Sequence, residues 1–229
     1  MEKDRLGPYF SRFEIIIWLV SVIMLLSAFL IFDRSNLLTM AASVIGVTSI
    51  LLNAKGNPAG QLLMVIFSLF YGYISYKVAY YGEMVTYLGM TMPMAVFALI
   101  SWLRHPYRGK RSEVEVNHLS GREVLFIIPL SLIVTVVFFF ILRFFNTANL
   151  YPSTLSVTTS FWAVYLTFRR SPYFSLAYTL NDIILIILWV LASLHNSRYI
   201  MVIMCFTAFL VNDIYAFISW KQMEKRQSG

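Results

Sequence analysis

The sequence predicts an all-α membrane protein with about eight transmembrane helices, and three observations carry this prediction. The chain of 229 residues is 59% hydrophobic and only 13% charged. Its mean hydropathy is +0.72, well above that of water-soluble domains. Apolar runs of about 20 residues follow one another along the chain and leave no room for a folded domain outside the bilayer. These observations exclude a cytosolic enzyme.

Each predicted span is an apolar run bounded by polar or turn residues. The first run follows the charged segment MEKDRLGPYFSRFE. Because this run is long and lacks a small-residue cleavage pattern, we expect a retained helix rather than a signal peptide. The eight runs cover residues 13–32, 37–54, 59–80, 84–103, 123–145, 150–168, 173–194 and 198–220.

The basic residues predict the orientation of these spans. With the N-terminus in the cytoplasm, all but four of the 18 Lys and Arg residues lie on the cytoplasmic side, as the positive-inside rule requires. The four exceptions are Arg34, Lys77, Arg143 and Arg198. We therefore expect both termini in the cytoplasm, and we assign the net charge of +7 to cytoplasmic loops rather than to a nucleic-acid site.

One long polar segment, residues 104–122, divides the chain, and we expect it to be a solvated loop. The predicted organisation is a cytoplasmic segment and first helix (1–36), a first three-helix unit (37–103), the loop with a linker helix (104–149), a second three-helix unit (150–222) and a cytoplasmic tail (223–229).

Short repeats support the two units. Ile-Ser-Trp occurs at 100–102 and again at 218–220, while AKGNP (54–58) and FRRSP (168–172) each join two consecutive spans. The offsets between the copies are 118 and 114 residues, so a four-residue insertion relates them. Two units in the same orientation, joined by one linker helix, are typical of transporters that hold substrate near the membrane midplane. Trp102 itself is expected in the interfacial aromatic belt.

Ionisable residues inside a span are costly and mark candidate functional sites. Asp182 lies within YTLNDIILIILW of the seventh span and Asp213 within FLVNDIYAFISW of the eighth. Each follows an asparagine, Asn181 or Asn212. Since adjacent helical residues point about 100° apart, we expect one member of each pair to face a central cavity and the other to pack between helices. The alternative is that these polar residues only hydrogen-bond helices together.

Further candidates share faces with these residues. On the seventh span, Phe174, Tyr178 and Trp189 fall near the Asn-Asp pair at helical spacing. The first unit offers Asn53, Asn57, Gln61 and Ser68. Among them Gln61 is the candidate to follow for substrate contact, and the equally open alternative is that it hydrogen-bonds a neighbouring carbonyl at the cytoplasmic face.

The sequence contains no set of residues for catalysis or metal binding. One cysteine cannot form an internal disulfide, and three scattered histidines make no zinc motif. A phosphate-binding loop, a nucleophile elbow and an H-E-x-x-H motif are all missing from the sequence. We expect neither enzymatic activity nor a cofactor, and transport without ATP hydrolysis by this chain. A scaffold or sensor stays open as an alternative.

The segments SPYFSLAYTLNDIILIILW and FLVNDIYAFISW, together with AKGN, resemble the PnuC family of bacterial vitamin transporters over residues 37–222. The resemblance implies two three-helix units around a linker helix, similar to the SWEET sugar transporters, and assembly as a homotrimer. It also implies facilitated diffusion of a nicotinamide-riboside-like vitamin or nucleoside across the bacterial cytoplasmic membrane. A separate cytoplasmic kinase would trap the substrate.

The family motif W-x-x-W-x-x-x-N reads Phe174, Ala177 and Asn181 here. The resemblance implies that these positions contact the vitamin, with Tyr178 as a substitute for the missing ring. The altered motif leaves thiamine, riboflavin and deoxynucleosides open as substrates. A cationic ring favours a role for Asp182, whereas a neutral deoxynucleoside favours Asn181 and Asn212.

Overall fold

A computed structural model describes residues 9–32, 34, 36–77, 80–147 and 149–229. The first eight residues of the predicted N-terminal segment lie outside this range. The first half contains α1 (Arg12–Phe32), α2 (Leu37–Ala54), α3 (Pro58–Lys77), α4 (Tyr81–Thr86) and α5 (Met92–Arg104). A two-stranded hairpin follows, with β1 (Pro106–Tyr107) and β2 (Lys110–Val114). The second half contains α6 (Gly121–Phe144), α7 (Leu150–Phe168), α8 (Phe174–Ser193) and α9 (Ile200–Ser228).

The all-α membrane fold is confirmed. Within the described residues, seven helical segments are long and apolar enough to cross a membrane. The sixth predicted span, α7, is not among these seven; it has the length of its neighbours but is interrupted by Ser and Thr. It packs against α5, α6 and α8, so its polar side chains meet protein rather than lipid. By contrast, α1 and α6 are the most apolar and least buried spans, as contact with lipid requires.

The fourth span is longer than predicted. It runs over Tyr81–Arg104 and not over 84–103, with a π-helical turn at Tyr87–Thr91 between α4 and α5. Pro93 stands at the start of α5. Proline has no backbone N–H to donate to the preceding turn, and the π turn accommodates this missing hydrogen bond. The longer span brings Glu83 inside the bundle, where it is only 2% exposed.

Residues 104–122 are mostly exposed, as predicted for a solvated loop, but they also form the hairpin and have one buried side that the prediction did not include. The hairpin ends at Val114, which is fully buried, and Val116 and Leu119 pack against the same cluster as Trp102. Backbone bonds from Val114 N to Gly56 O (2.9 Å) and from Asn117 N to Arg170 O (3.0 Å) attach the segment to the two short connections between helices. Apolar residues alternating with charges give the segment a buried side that its overall polarity conceals.

The helices pair in a repeated pattern. α2 packs against α3 and α9, while α7 packs against α8 and α5. We refer to α2–α5 as the first unit and to α7–α9 as the second unit. In both, the first helix contacts the next helix of its own unit and the last helix of the other. The residue boundaries of the two units stay a prediction. The side that carries the hairpin and the C-terminus is called the loop face below, and the other side the opposite face.

Candidate substrate site

A small cavity lies at the centre of the bundle, where the two units meet. Its free volume is about 30 Å³, which is room for about one water molecule. Both units contribute side chains to it, and the π turn adds two more. The lining consists of Ile50, Asn53, Met64, Phe67, Tyr87, Thr91, Ser160, Phe174, Tyr178, Asn181, Asp182, Phe206, Phe209 and Asp213.

Asn181 is held in a defined orientation. Its Oδ1 accepts hydrogen bonds from Thr159 Oγ1 and Ser160 Oγ on α7, both at 2.9 Å. Because the amide oxygen is occupied by two hydroxyl donors, Nδ2 is the group left to donate to a ligand. A buried amide fixed by its own neighbours is preorganised for recognition.

Two carboxyl groups share the cavity. Asp182 and Asp213 face each other within hydrogen-bonding reach across α8 and α9. Asp182 Oδ2 has no hydrogen-bond partner among the described residues. A carboxyl oxygen without a partner in a membrane-embedded site is costly, which makes Asp182 a candidate for contact with a ligand or an ion.

The prediction that one member of each Asn-Asp pair faces the cavity and the other packs between helices is correct on α9 and wrong on α8. Asp213 lines the cavity, whereas Asn212 Nδ2 donates to Ser21 Oγ at 2.9 Å and to Ala208 O at 2.7 Å. On α8, both Asn181 and Asp182 line the cavity. The reason is that α8 packs between α7 and α9, so the cavity covers a wide sector of this helix.

The first unit contributes the side-chain amide of Asn53, which a hydrogen bond from Gln61 holds in place. Gln61 Nε2 donates to Asn53 Oδ1 at 2.9 Å, and Asn53 lines the cavity while Gln61 does not. Gly60 permits this close approach, because a Cβ there would lie 2.2 Å from Asn53 Oδ1. Gln61 therefore positions Asn53 rather than facing the cavity itself.

Two other predicted residues also lie outside the central cavity. Ala177 lines a larger pocket on the loop face, next to Pro172 and Leu176. Trp189 lines a separate cavity near the opposite face. Phe174 and Tyr178 do line the central cavity, and their rings meet edge to face at 6.3 Å.

Several cavity residues were missed from the sequence. Tyr87 and Thr91 belong to the π turn, and Phe67, Phe206 and Phe209 look like ordinary core residues. Phenylalanines in apolar helices give no signal that separates a binding wall from packing. Glu83 is buried but does not line the cavity, and it could have been found by starting the fourth span at the aromatic pair Tyr80-Tyr81.

The two copies of the Ile-Ser-Trp motif close the loop face, because each copy hydrogen-bonds to the other unit. Trp102 Nε1 donates to Thr167 O at 2.9 Å, and Ser101 Oγ donates to Phe168 O at 3.0 Å. In this way α5 of the first unit caps the last carbonyl groups of α7 in the second unit. The expectation that Trp102 lies in the interfacial belt is wrong, since it is fully buried.

The second unit returns the same contacts. Trp220 Nε1 donates to Asn53 O and Ser219 Oγ to Ala54 O, both at 2.7 Å. The two indole rings meet with centroids 5.4 Å apart, and Phe174 packs on Trp220 at 4.9 Å. We call Ser101, Trp102, Ser219 and Trp220 the tryptophan latch.

Toward the opposite face, a group of aromatic rings packs over the cavity within an apolar cluster. The Tyr71 ring is tilted against Tyr87 at 4.4 Å and meets Phe206 at 5.7 Å and Trp189 at 6.4 Å edge to face. Neither the Tyr71 hydroxyl nor Trp189 Nε1 makes a hydrogen bond of acceptable geometry with any described residue. We call these four residues the aromatic layer.

Membrane-spanning helices around a polar and aromatic central cavity, closed toward both faces, define a small-molecule membrane transporter. Comparison with known proteins agrees. Residues 36–222 match the sequence model of the family described as nicotinamide mononucleotide transporter, so the chain belongs to that family.

Two relatives support this membership. The chain is 26% identical, over 99% of its length and 88% of the relative's, to a protein of Neisseria mucosa named nicotinamide riboside transporter PnuC. A solved structure titled vitamin B3 transporter PnuC superposes with a TM-score of 0.84 at 24% identity, over 97% of this chain and 96% of that one. The second comparison establishes the fold.

Proposed function

We propose that this chain imports a nicotinamide-riboside-like nucleoside across the bacterial cytoplasmic membrane, with both termini in the cytoplasm. One observation carries the proposal: an oriented amide, a carboxyl oxygen with no partner in the described part of the chain and a wall of aromatic rings meet in one cavity. The name of the Neisseria relative supports nicotinamide riboside as the substrate.

The chemistry of the cavity suits a flat cationic ring that carries a polar group. Asn181 Nδ2 can donate to a carbonyl oxygen such as that of a carboxamide. Asp182 can balance a ring cation, and Tyr178 and Phe174 supply aromatic faces for cation–π contact. Asn53, oriented by Gln61, is available for ribose hydroxyl groups. Asp213 supports Asp182 from the neighbouring helix.

Transport is proposed to be facilitated diffusion. The free volume of about 30 Å³ is far below the several hundred Å³ of typical small-molecule sites, so binding requires the lining to move apart. Opening of the tryptophan latch on one face and of the aromatic layer on the other would alternate access. A separate cytoplasmic kinase would trap the substrate, and assembly as a homotrimer is proposed with it.

The direct test is binding of nicotinamide riboside to the purified protein by isothermal titration calorimetry. Asn181→Ala should weaken binding about tenfold or more, since it removes a buried donor to the ligand. Asn212→Ala is the comparator, because Asn212 is an equally buried amide that contacts α1 instead of the cavity. It should lower thermal stability and keep the affinity.

A panel of ligands separates the alternatives. Thermal stabilisation by thiamine, riboflavin or a deoxynucleoside, and none by nicotinamide riboside, would replace the proposed substrate with that ligand. Asp182→Asn should abolish binding of a cationic ring and spare a neutral nucleoside. If no ligand stabilises the protein, a scaffold or sensor takes the place of the transporter.

A further inference from the structure

The two carboxyl groups of the central cavity meet without a positive charge beside them. Asp182 is 2% and Asp213 is 3% exposed, and the two lie within hydrogen-bonding reach of each other. The described residues of the cavity lining include no Lys, Arg or His. Two ionised carboxylates repel each other, and neither has a hydrogen to donate to the other. These two residues, called the carboxyl pair below, therefore hold at least one proton.

One oxygen of the pair is completely enclosed. Asp182 Oδ2 has no hydrogen-bond partner among the described residues and essentially no surface accessible to water. A water molecule or a metal ion cannot reach this atom in the closed structure, whereas a proton on the carboxyl group needs no additional room. Protonation also removes the charge, and an unpaired charge is the most costly group to bury inside a membrane span.

The other titratable groups near the pair do not supply a counter-charge. Those that approach it are Tyr87 of the π turn, Tyr178 of α8 and Cys205 of α9. Phenol and thiol groups are neutral at neutral pH. α2, α3 and α7 contribute no titratable side chain to the described lining. Two further buried carboxyl groups lie outside it: Glu83, on α4, and Glu14, on α1, which pairs with Lys55 at 3.2 Å.

The charge of the whole site decides how many protons the pair holds. Without a cation, a pair with two protons is neutral, whereas a pair with one proton is a buried negative charge. A cationic ring beside Asp182 reverses this preference, because one ionised carboxyl group then balances the ring. We propose that the carboxyl pair carries two protons at neutral pH without substrate and exchanges one of them for a cationic ring. This inference rests on the proposed function and adds the proton as a competing ligand of the same site.

The exchange makes the pair a sensor of charge. For each cationic ring that binds, one proton passes to the solvent and the other stays between the two carboxyl groups. Because proton and ring compete, affinity rises with pH, by up to about tenfold per pH unit while the pair holds two protons, and levels off once one carboxyl group is ionised. A ring of the same shape without charge displaces no proton, so its affinity does not follow pH.

The test is isothermal titration calorimetry of the purified full-length chain at neutral pH, in buffers that differ in ionisation enthalpy. The slope of binding enthalpy against buffer ionisation enthalpy gives the number of protons released per ligand. Nicotinamide riboside, which carries a cationic ring, should release about one proton. Its reduced dihydro form is the matched ligand, since it has nearly the same shape and an uncharged ring, and it should release none.

Variants locate the proton on the pair. Asp213→Leu removes the hydrogen-bond donor to Asp182, so binding of the cationic form should weaken about tenfold or more, and by a larger factor than binding of the dihydro form. Asp213→Asn keeps a donor and should restore most of this loss. Glu83→Gln is the control, because Glu83 is an equally buried carboxyl group outside the lining. It should leave the number of released protons unchanged.

A ligand-free measurement separates this inference from the proposed function. The infrared difference between the wild-type chain and Asp182→Asn/Asp213→Asn at neutral pH should show two protonated carboxyl groups. A carboxylate signal in this difference overturns the proposal. It is also overturned if the cationic ring binds without proton release or if both ring forms release the same number. If neither form binds, the proposed function fails and the exchange fails with it, while the infrared spectrum still decides whether the pair holds two protons.

Discussion

The two closures of the central cavity are built from different interactions. On the loop face, four side-chain hydrogen bonds of the tryptophan latch join each unit to the other's first helix, at 2.7–3.0 Å. On the opposite face, the aromatic layer closes by ring packing, and the Tyr71 hydroxyl and Trp189 Nε1 make no well-aligned hydrogen bond with any described residue. The hydrogen bonds of the latch hold its residues in one geometry, and breaking them costs free energy. The packed rings of the aromatic layer have no such directional constraint and can slide or change rotamer. We therefore expect the opposite face to open more readily.

The largest effect is expected from removing both latch tryptophan donors. The double variant Trp102→Phe/Trp220→Phe keeps aromatic packing and removes one of two donors from each carbonyl group, since Thr167 O and Asn53 O keep a backbone donor. The expected cost is about 0.5–1.5 kcal/mol for each lost bond. The loop face should open, and substrate counterflow in proteoliposomes should fall steeply. The readout is labelling of Ala216→Cys in a Cys205→Ser background, where Ala216 is fully buried one turn before Trp220. The expected rise in labelling rate is about tenfold or more.

Single Trp102→Phe and Trp220→Phe variants serve as its controls. The repeated bonding predicts similar effects from both. A large effect from one and none from the other would show that the latch is not reciprocal.

A second test compares glycines in the two halves of α3. A Cβ on Gly60, near the loop face, would lie 2.2 Å from Asn53 Oδ1 and 2.8 Å from Asn53 backbone N. A Cβ on Gly72 would meet only the side chain of Leu88, at 2.6 Å. Since backbone cannot yield as a side chain does, Gly60→Ala should destabilise by about 1–3 kcal/mol and Gly72→Ala by less. Unfolding in mixed micelles measures both, and the reverse order would contradict the comparison.

A smaller effect is expected from the latch serines. Ser101→Ala and Ser219→Ala each remove one hydroxyl donor to a carbonyl at the end of a helix, for about 1 kcal/mol. Thermal unfolding should show similar decreases for the two. Ser193→Ala is the control, because that hydroxyl bonds to Val190 O within its own helix. A decrease as large in Ser193→Ala would remove the distinction between latch bonds and local bonds.

The smallest effect is expected in the aromatic layer. Tyr71→Phe removes a buried hydroxyl that has no partner among the described residues, so stability should stay the same or rise slightly. The free energy of unfolding should not fall by more than about 0.5 kcal/mol. A loss comparable to that of Trp102→Phe would mean that the two faces are closed by the same kind of interaction.

The sequence predicted the spans, their order and one cavity-facing member in each Asn-Asp pair, because charge and amide groups stand out in apolar helices. It did not predict that Asn181 and Asp182 both line the cavity. It could not place Asn212, whose partner Ser21 lies 191 residues away. Helix rotation is poorly specified when every side of a helix is apolar, which is why Ala177 and Trp189 lie away from the cavity.

The repeated Ile-Ser-Trp motif was visible, but its role was not. Only the fold shows that each copy bonds to the other unit's first helix. The buried hairpin side and the start of the fourth span at Tyr81 were also hidden, because both depend on contacts between distant segments.

The central claim is that the latch holds the loop face while the aromatic layer yields. Double electron–electron resonance on the protein in nanodiscs tests it with two spin-label pairs in a Cys205→Ser background. One pair, at Lys77 and Arg198, spans the opposite face, and the other, at Arg104 and Lys225, spans the loop face. Without ligand, the account predicts a broad distance distribution at the opposite face and a narrow one at the loop face. A narrow opposite face with a broad loop face would contradict it.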